Sequence, residues 1–518
     1  MQMPRLCVAL AICFYSLSLR AATTQWVHRG DKGRLVYRVG ARGDRIMDFS
    51  YAGYEGGGVN IPVVPVKQIV GPDGHRNAAA IQQAIDAVSR LPLHNGFRGT
   101  VLLEAGTYIC RHTIVIRTSG VVIRGAGVKK TIIRMAGAPH KCIAVTGGWQ
   151  PEVSAVPLAI ADRYIPVGTL WLPMQHRISG LAVGEYIVIR HPITRRYVHF
   201  MGMDRLFRNG RPEHWVSGTI STLRRITMIR GDRIMLDAPL TDSLNPQFVN
   251  PPGATVVRCG TSGQLARVGL EHFEILSPPQ HGALFGTRHN GGIQLSAVRN
   301  AWVDDVAIDN TVGAVSIGAY AQEITLNNIK VAHTTATSGA AMPADFSVGG
   351  SCVLINHCTD RGNHLFYFVT GARATGPNVL LNCTFYGNGS IQPHQRWATG
   401  LLVDNCRVPQ GGIEFINRGE MGSGHGWAIG WAVAWNCAAG FLVIQNPPGS
   451  ANWAIGCTGR RRTEPMPFTR QPRIPMGYVG SNGKAVQPQS LYLAQLAQRL
   501  GKRAIENIGY PSPRASAK

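Results

Sequence analysis

Three segments towards the C-terminal end of this sequence hold the side chains best suited to catalysis. They are Thr359–Tyr367, Pro393–Trp397 and Glu414–Trp427, and each mixes Arg with His, Tyr or Trp. Arg pairs with a carboxylate through two parallel hydrogen bonds, while His and Tyr transfer protons. The combination fits β-elimination on a uronate, in which Arg neutralises the carboxylate, a base removes the C5 proton and an acid protonates the leaving oxygen.

On this basis we predict roles for individual side chains. The catalytic candidates are a carboxylate clamp, a base and an acid: Arg361 or Arg396, His364 or His394, and Tyr367. Further candidates for substrate contact are Trp397, Arg418, His289, Asn290, Trp215 and His425. Each His also has a plain explanation as a hydrogen-bonded turn residue. The pair Arg396 and Trp397 is harder to explain structurally, because an exposed Trp is costly without a partner.

Paired carboxylates offer a rival chemistry, the hydrolysis of a glycosidic bond. Asp304, Asp305 and Asp309 form the obvious set, although their segment also fits two plain strands with Asp and Asn at the turns. Neither a Gly-rich phosphate loop nor a nucleophile elbow occurs in the sequence. This argues against phosphoryl transfer and serine hydrolysis.

A ladder of cysteines indicates how these segments are positioned. Five cysteines recur 25, 23, 31 and 20 residues apart, at Cys358, Cys383, Cys406, Cys437 and Cys457. Each ends a short apolar run, as in Val-Leu-Leu-Asn-Cys383. This period is too short for a crossover helix, and a strand, an Asn bend and another strand describe one coil of a parallel β-helix. Residues one period apart would then share a face, about 4.8 Å apart.

The N-terminal third contains one helix followed by short strands. Apolar residues at helical spacing predict a helix from residue 76 to 88. The run Ala79-Ala-Ile-Gln-Gln-Ala-Ile-Asp86, then Gly99-Thr-Val-Leu-Leu-Glu-Ala-Gly-Thr-Tyr108 and Gly120-Val-Val-Ile-Arg-Gly-Ala-Gly127, resembles the N-terminal cap and first coils of the pectate-lyase-like superfamily. The resemblance is specific for residues 69 to 137 and looser from 255 to 460.

This resemblance implies an all-β fold, a right-handed parallel β-helix with an N-terminal capping helix. It implies the reaction only weakly, because the superfamily includes lyases, glycosidases, epimerases and non-catalytic spike proteins. Several of its lyases use Ca²⁺. The acids of this sequence do not form a convincing oxygen cage, so no metal centre is predicted and Ca²⁺ stays open.

Five regions follow from the pattern. Residues 1–22 read as a signal peptide, 23–156 as the N-terminal segment with the helix and first coils, and 157–250 as an inserted antiparallel β subdomain. Residues 251–460 carry the coils with the candidate site, and 461–518 form an extension with a short amphipathic helix from residue 490 to 500.

Charge and cysteine usage narrow the function. The formal net charge of +24 favours a polyanionic partner, and in the absence of a nucleic-acid motif an acidic polysaccharide is preferred. Removal of the signal would leave nine cysteines, an odd number that fits buried thiols better than disulfides. No membrane span is expected after that removal, and the location is secreted or periplasmic. We therefore expect an exported polysaccharide lyase acting on an acidic glycan, with an inverting glycoside hydrolase or a non-catalytic glycan-binding solenoid as alternatives.

Overall fold

The computed structural model describes residues 22–511, apart from 75–76, 150–155, 335, 340, 464 and 466–473. The predicted signal peptide covers residues 1–22, of which residues 1–21 lie outside the described residues and only Ala22 lies inside. Within the described part, 29 strands form one sheet whose pairings are parallel and link each coil to the next. The predicted parallel β-helix is confirmed.

Each coil contributes strands to three faces. The first face contains Val66–Val70, Gly99–Leu103, Val121–Gly125, Leu265–Ala266, Gln322–Asn327, Ser351–Asn356, Thr375–Leu381, Ala398–Asp404, Ile429–Gly430, Val433–Trp435, Trp453–Ile455 and Tyr478–Gly480. The second contains Gly106–Cys110, Thr131–Met135, Lys330–Ala332, Thr359–Arg361, Thr384–Tyr386 and Thr458–Arg461. The third contains Ile114–Ile116, Lys141–Thr146, Gly291–Ser296, Val315–Ile317, Ala344–Val348, Phe366–Thr370 and Ser390–Ile391. Four long strands bend across two faces: Gly269–Leu276, Val298–Asp309, Arg407–Phe415 and Ala438–Ile444.

A repeated Asn explains the corner between the first and second faces. Asn328, Asn382, Asn405 and Asn436 all adopt φ between 50° and 58° there. Asn tolerates this left-handed conformation better than other non-glycine residues, because its short polar side chain can hydrogen-bond locally. The Asn405 amide donates to the Asn382 side-chain oxygen at 2.7 Å, which links adjacent coils. The predicted Asn bend is confirmed.

The cysteines after these corners point into the coil. Cys383 and Cys406 are fully buried, and their thiols donate to carbonyls of the preceding coil, Ile355 O at 3.4 Å and Leu380 O at 3.6 Å. All nine described cysteines are free and buried. Seven of them, all except Cys259 and Cys352, stack with Val, Ile, Leu and Phe side chains in one continuous core.

The insertion leaves the coil after Thr146 and returns at Leu265. Its antiparallel sheet has six strands, in the order Leu158–Ala159, Thr255–Cys259, Tyr186–Pro192, Thr219–Arg230, Arg233–Leu236 and Trp171–Pro173. The strand Thr255–Cys259 lies past the predicted boundary at residue 250, so the insertion is longer than expected. Two short helices, α2 (Arg195–Phe200) and α3 (Pro246–Val249), and the hairpin Phe207–Arg208 with Arg211–Pro212 lie beside the sheet.

Both ends of the chain pack on the coil. Helix α1 (Asn77–Ser89) buries Ile81, Ile85 and Val88 against the first coils, as predicted. Near the C-terminus, α4 (Leu491–Leu500) begins where Ser490 Oγ accepts from Leu493 N, and α5 (Lys502–Asn507) follows it. Remaining short elements are the helical turns Tyr54–Gly56 and Ser481–Gly483 and the strands Ala22–Thr23, Val27–Arg29, Leu35–Tyr37, His281–Ala283, Ala336–Ser338 and Val486–Gln487. Among the described helices, none has the length and apolar character needed to cross a bilayer.

Candidate functional site

Arg418 and His394 form the centre of a cationic cluster on the outside of the coil. His394 follows the strand Ser390–Ile391, and Arg418 follows Arg407–Phe415 one coil further on. Arg418 Nη1 donates to His394 Nδ1 at 2.6 Å and to His394 O at 3.1 Å. Since a guanidinium only donates, Nδ1 of His394 must accept, and the neutral ring carries its proton on Nε2. The Arg418 guanidinium also lies 5.5 Å from the centre of the Phe366 ring.

Arg396 and His425 extend this cluster. Arg396 Nη2 donates to Ser423 O and to Ser423 Oγ, both at 2.6 Å, and Arg396 N donates to His425 O at 3.0 Å. The ring centres of His394 and His425 lie 4.8 Å apart. Four of the residues singled out from the sequence are therefore brought together: His394, Arg396, Arg418 and His425.

The insertion supplies a further cation to the same site. Arg208, in the hairpin of the insertion, donates to the carbonyls of Glu420 at 3.3 Å and Gly422 at 3.1 Å. In return, the Glu420 carboxylate accepts from Phe207 N at 3.0 Å. The segment 418–425 is thus held between coil and insertion, and Arg208 is a site residue that the sequence pattern did not indicate.

Burial and mutual repulsion shift the ionisation of these groups. Burial, with the nearby Arg418 and His425, lowers the pKa of His394 to about 3. Burial and the three guanidinium groups around it lower the pKa of His425 to about 4. Burial also lowers the pKa of Arg418 to about 10, so this side chain stays charged at neutral pH. The site therefore presents neutral imidazoles beside charged guanidinium groups.

Several buried nitrogens of the cluster have no hydrogen-bond partner among the described residues. Arg418 is 5% exposed, yet its Nε makes no hydrogen bond to any described residue. The same holds for Nε of Arg396 and Nδ1 of His425. Because an unsatisfied buried donor costs about 1–3 kcal/mol, groups of this kind call for an anionic ligand or ordered water.

The backbone at the cluster is strained. Arg396 and Trp397 are adjacent and both adopt left-handed conformations, with φ of 53° and 59°. Such conformations cost non-glycine residues about 1–3 kcal/mol each and concentrate at functional sites. With this backbone conformation the two side chains point in different directions, Arg396 towards Ser423 and Trp397 towards the insertion.

Trp397 and Trp215 are buried between the coil and the insertion. Trp397 is 2% exposed and donates from Nε1 to Asp242 Oδ2 at 2.7 Å, while Trp215 donates from Nε1 to Trp427 O at 3.1 Å. The expectation of an exposed Trp397 is wrong, because the insertion covers its ring. Both rings pack between the coil and the insertion and do not face solvent.

The other predicted residues lie apart from the cluster. Tyr367 is fully buried and stacks on Phe385 with ring centres 5.0 Å apart. Its hydroxyl donates to Gly362 O and accepts from Gly389 N. This position in the core gives a substrate no access to the predicted acid. Arg361 is exposed and stacks on Tyr386 with 4.0 Å between the guanidinium carbon and the ring centre.

His364, His289 and Asn290 also lie elsewhere. His364 is exposed in a turn, where its backbone N donates to Asn388 Oδ1 at 2.7 Å. His289 is half-buried and its Nε2 lies 3.1 Å from Ala283 O. Asn290 is buried and bonds to His140 N and Ser277 Oγ, each at 3.0 Å, which makes it a turn residue.

Two of the three acids considered for hydrolysis, Asp304 and Asp305, serve the corners of the coil. Asp304 accepts from Asn327 at 2.7 Å, and Asp305 accepts from Asn328 at 2.8 Å. A different pair of carboxyls, missed in the sequence, lies between insertion and coil. Burial and the nearby Asp237 raise the pKa of Glu323 to about 7, and burial raises the pKa of Asp237 as well.

The cationic cluster does not fit Ca²⁺, which needs about six to eight oxygen ligands. The residues that converge there are mainly Arg and His. Within the described residues, one group of His and Asp could hold a metal ion: His333, Asp345 and Asp360, inside the coil.

No family model and no curated protein matches this chain. Solved structures with a similar fold include the tailspike protein gp49 from Pseudomonas phage LKA1, 14% identical with a TM-score of 0.41 over 79% of this chain and 70% of that chain. The surface adhesin PfbA of Streptococcus pneumoniae is 11% identical with a TM-score of 0.37 over 76% and 77%. An iota-carrageenase complexed to iota-carrageenan fragments is 13% identical with a TM-score of 0.27 over 76% and 58%. Similarity at this level does not carry over an activity.

Proposed function

We propose that this chain is an exported enzyme that binds an acidic glycan and cleaves it by β-elimination at the cationic cluster. The observation that carries the proposal is the buried Arg418, whose Nε has no described partner, beside Arg396. A uronate carboxylate would accept from both guanidinium groups. A sulfate or phosphate would satisfy the same donors, but neither would acidify a proton on the sugar ring.

The geometry suits carboxylate activation. Charge-assisted hydrogen bonds from Arg418 and Arg396 would draw electron density from the carboxylate and lower the cost of removing the adjacent C5 proton. The cluster is partly shielded from water, which strengthens such interactions. The net charge of +24 adds a long-range attraction for a polyanion.

Proton transfer is assigned to the imidazole of His425, with His394 as a hydrogen-bond donor. A bound carboxylate would offset part of the charge of Arg418 and raise the pKa of His394 and His425 towards the ordinary value, so that a ring could take up the C5 proton. His425, whose Nδ1 has no described partner, is the preferred base. The protonated His425 then returns this proton to the leaving oxygen, and Nε2–H of the neutral His394 donates a hydrogen bond to the same oxygen without releasing its proton. No step is assigned to Tyr367.

The decisive experiment measures product chemistry. The purified chain is incubated with a panel of uronate-containing polymers and with neutral polymers of similar length. Elimination creates an unsaturated uronate with a new ultraviolet absorbance, whereas hydrolysis creates reducing ends without that absorbance. We expect the absorbance to rise with at least one acidic polymer and with none of the neutral ones.

Variants connect the activity to the cluster. Loss of one charged donor should lower kcat/KM by about 100-fold or more, so Arg418→Ala and Arg396→Ala are expected to lose the signal. Arg407→Ala is the matched control, because Arg407 is exposed on the coil away from the cluster. Full activity in both cluster variants, or equal loss in the control, would exclude this site.

Hydrolysis is the second candidate, favoured by one observation. Glu323, with a pKa of about 7, could donate a proton while Asp237 activates water, as paired carboxyls do in glycosidases. Reducing ends without unsaturated product, lost in Glu323→Gln, would favour this reaction. Tight binding of an acidic polymer without either product would favour a non-catalytic glycan-binding protein.

A further inference from the structure

A second cluster of titratable side chains lies inside the coil, apart from the cationic cluster. His333 follows the strand Lys330–Ala332, Asp345 lies in Ala344–Val348, and Asp360 lies in Thr359–Arg361 of the next coil. One potential ligand atom from each residue lies within 4.8 Å of the other two. His333 Nε2 is 2.8 Å from Asp345 Oδ2.

These groups are removed from water. The side chains of Asp345 and Asp360 are fully buried, and the His333 side chain is 3% exposed. Asp360 faces the core because its strand neighbours at the same position, Val331 and Phe385, are both core residues. His333 is fixed by a hydrogen bond from its backbone N to Arg361 O at 2.9 Å.

Three of the four carboxylate oxygens lack a hydrogen-bond partner among the described residues. Neither oxygen of Asp360 accepts a hydrogen bond from any described residue, and Oδ1 of Asp345 has no described partner either. Among the described residues, no Lys or Arg forms an ion pair with these two acids. Two carboxylates this close in a dry interior, with His333 on only one of their four oxygens, repel each other strongly unless a cation or protons neutralise them.

We propose that His333, Asp345 and Asp360 bind a divalent transition-metal ion, with Zn²⁺ preferred, as a structural site inside the coil. One imidazole nitrogen and two carboxylates are ligands of Zn²⁺, whereas Ca²⁺ and Mg²⁺ prefer oxygen alone. A tetrahedral ion about 2.0–2.2 Å from each ligand atom needs these atoms about 3.5 Å apart, within reach of the present spacing. A water or a second carboxylate oxygen would complete the four ligands.

The ion would join His333, which follows the strand Lys330–Ala332, and Asp345, in Ala344–Val348, to Asp360 of the next coil. It would act in the stability of the coil and would take no part in the proposed elimination. The inference is therefore independent of the proposed function.

The test is metal content and thermal stability of the full chain. The protein is stripped with a chelator, dialysed, and supplied separately with Zn²⁺, Mn²⁺ or Ca²⁺, before mass-spectrometric metal analysis and a melting curve. We expect about one equivalent of Zn²⁺ per chain and a Tm raised by several degrees, since a ligand of the folded state alone stabilises it. Ca²⁺ should give neither effect.

Two variants and one control locate the ion. Asp360→Asn and His333→Gln should each lose the bound Zn²⁺ and its effect on Tm. The control Asp304→Asn removes a carboxyl that bonds to Asn327 at a corner of the coil, and should bind as the parent does. Should the variants fail to fold, the stoichiometry of the parent chain still decides.

Two results would overturn the proposal. One is a stripped parent chain that takes up no Zn²⁺ and does not change its Tm, which would mean that protons neutralise the pair. The other is equal Zn²⁺ content in the parent, Asp360→Asn and His333→Gln, which would place the metal elsewhere.

Discussion

At the scale of residues, the hydrogen bond between Arg418 and His394 sets the electrostatics of the candidate site. Because the guanidinium can only donate, this bond requires a neutral imidazole. Protonation of His394 would break the bond and place two positive charges in contact. The surrounding burial makes this still less favourable, and both effects lower the pKa of His394 to about 3.

The lowered pKa predicts a pH dependence of stability. In the unfolded chain an ordinary His takes up a proton near pH 6.5. Between that pH and the folded-state values of about 3 for His394 and about 4 for His425, the unfolded state binds more protons. The stability contributed by the neutral rings is therefore present above pH 6.5 and is lost as the pH falls.

The variant His394→Gln isolates this effect. Gln does not titrate, and its side-chain oxygen can still accept from Arg418. We expect the fall in Tm between pH 7 and pH 4.5 to be smaller in the variant than in the parent chain, as measured by melting curves in matched ionic strength. The control His364→Gln, at an exposed position, should follow the parent. An unchanged pH profile in His394→Gln would contradict the assignment.

The residue-scale chemistry was only partly predictable. Residue types were sufficient to select His394, Arg396, Arg418 and His425 as candidates, but not to say which candidates would converge: His364, selected on the same grounds, lies in an exposed turn. The burial of Tyr367 was not predictable. Side chains of a strand point alternately into and out of the coil, and a shift in strand register near Phe366 decides the direction of Tyr367. No sequence pattern indicated Arg208, because this residue lies in the insertion, outside the repeat of the coil.

At the scale of elements, the contact between the insertion and the coil depends on a buried cation. Arg224, in the strand Thr219–Arg230, is 1% exposed. Its guanidinium donates only to carbonyls: Leu223 O at 2.9 Å, Ala238 O at 3.1 Å, Pro239 O at 2.9 Å and Gly376 O at 2.8 Å. The last of these acceptors belongs to the coil, so one side chain joins the two parts.

The variant Arg224→Met keeps the length of the side chain and removes all of these donors. Hydrogen bonds to charged groups contribute about 1.5–3 kcal/mol each, so we expect a loss of about 3 kcal/mol or more and a lower Tm. Limited proteolysis should also cut the insertion sooner than in the parent chain. Arg230→Met is the matched control on the same strand, because Arg230 is exposed. Equal Tm and equal cleavage in both variants would contradict this role.

Elements near in sequence were easier to predict than contacts between distant ones. The spacing of apolar residues was sufficient to predict the helices α1 and α4. The recurring Asn was sufficient to predict the corners of the coil. The docking of the insertion depends on contacts such as Arg224 with Gly376 and Trp397 with Asp242, between residues more than 150 positions apart. No local pattern encodes such pairs, and the position of the last insertion strand was missed for the same reason.

At the scale of the whole molecule, the stacking of buried side chains from successive coils stabilises the coil. Its described residues form no disulfide. All nine described cysteines, eight in the coil and Cys259 in the insertion, are free and buried. Burial raises the pKa of the Cys110 and Cys352 thiols to about 12, which suppresses the reactive thiolate. The odd number of cysteines predicted this state, because a fully paired framework needs an even number.

Thiol labelling tests this organisation. In the native chain we expect none of these nine thiols to react with a water-soluble thiol reagent within the time that labels a free peptide. In denaturant all nine should react, and prior treatment with a reductant should not change the Tm. Rapid labelling of the native chain, or a reductant-dependent Tm, would show that the ladder is open to solvent or cross-linked.

The cationic cluster takes Arg208 from the insertion and Arg396 and Arg418 from the coil. A polymer that contacts both parts would therefore favour their docked arrangement, and the docked arrangement would favour the polymer by the same free energy. Substitutions at the distant Arg224 would then weaken glycan affinity although they remove no contact with the glycan. Selection for recognition would act on positions that never meet the ligand.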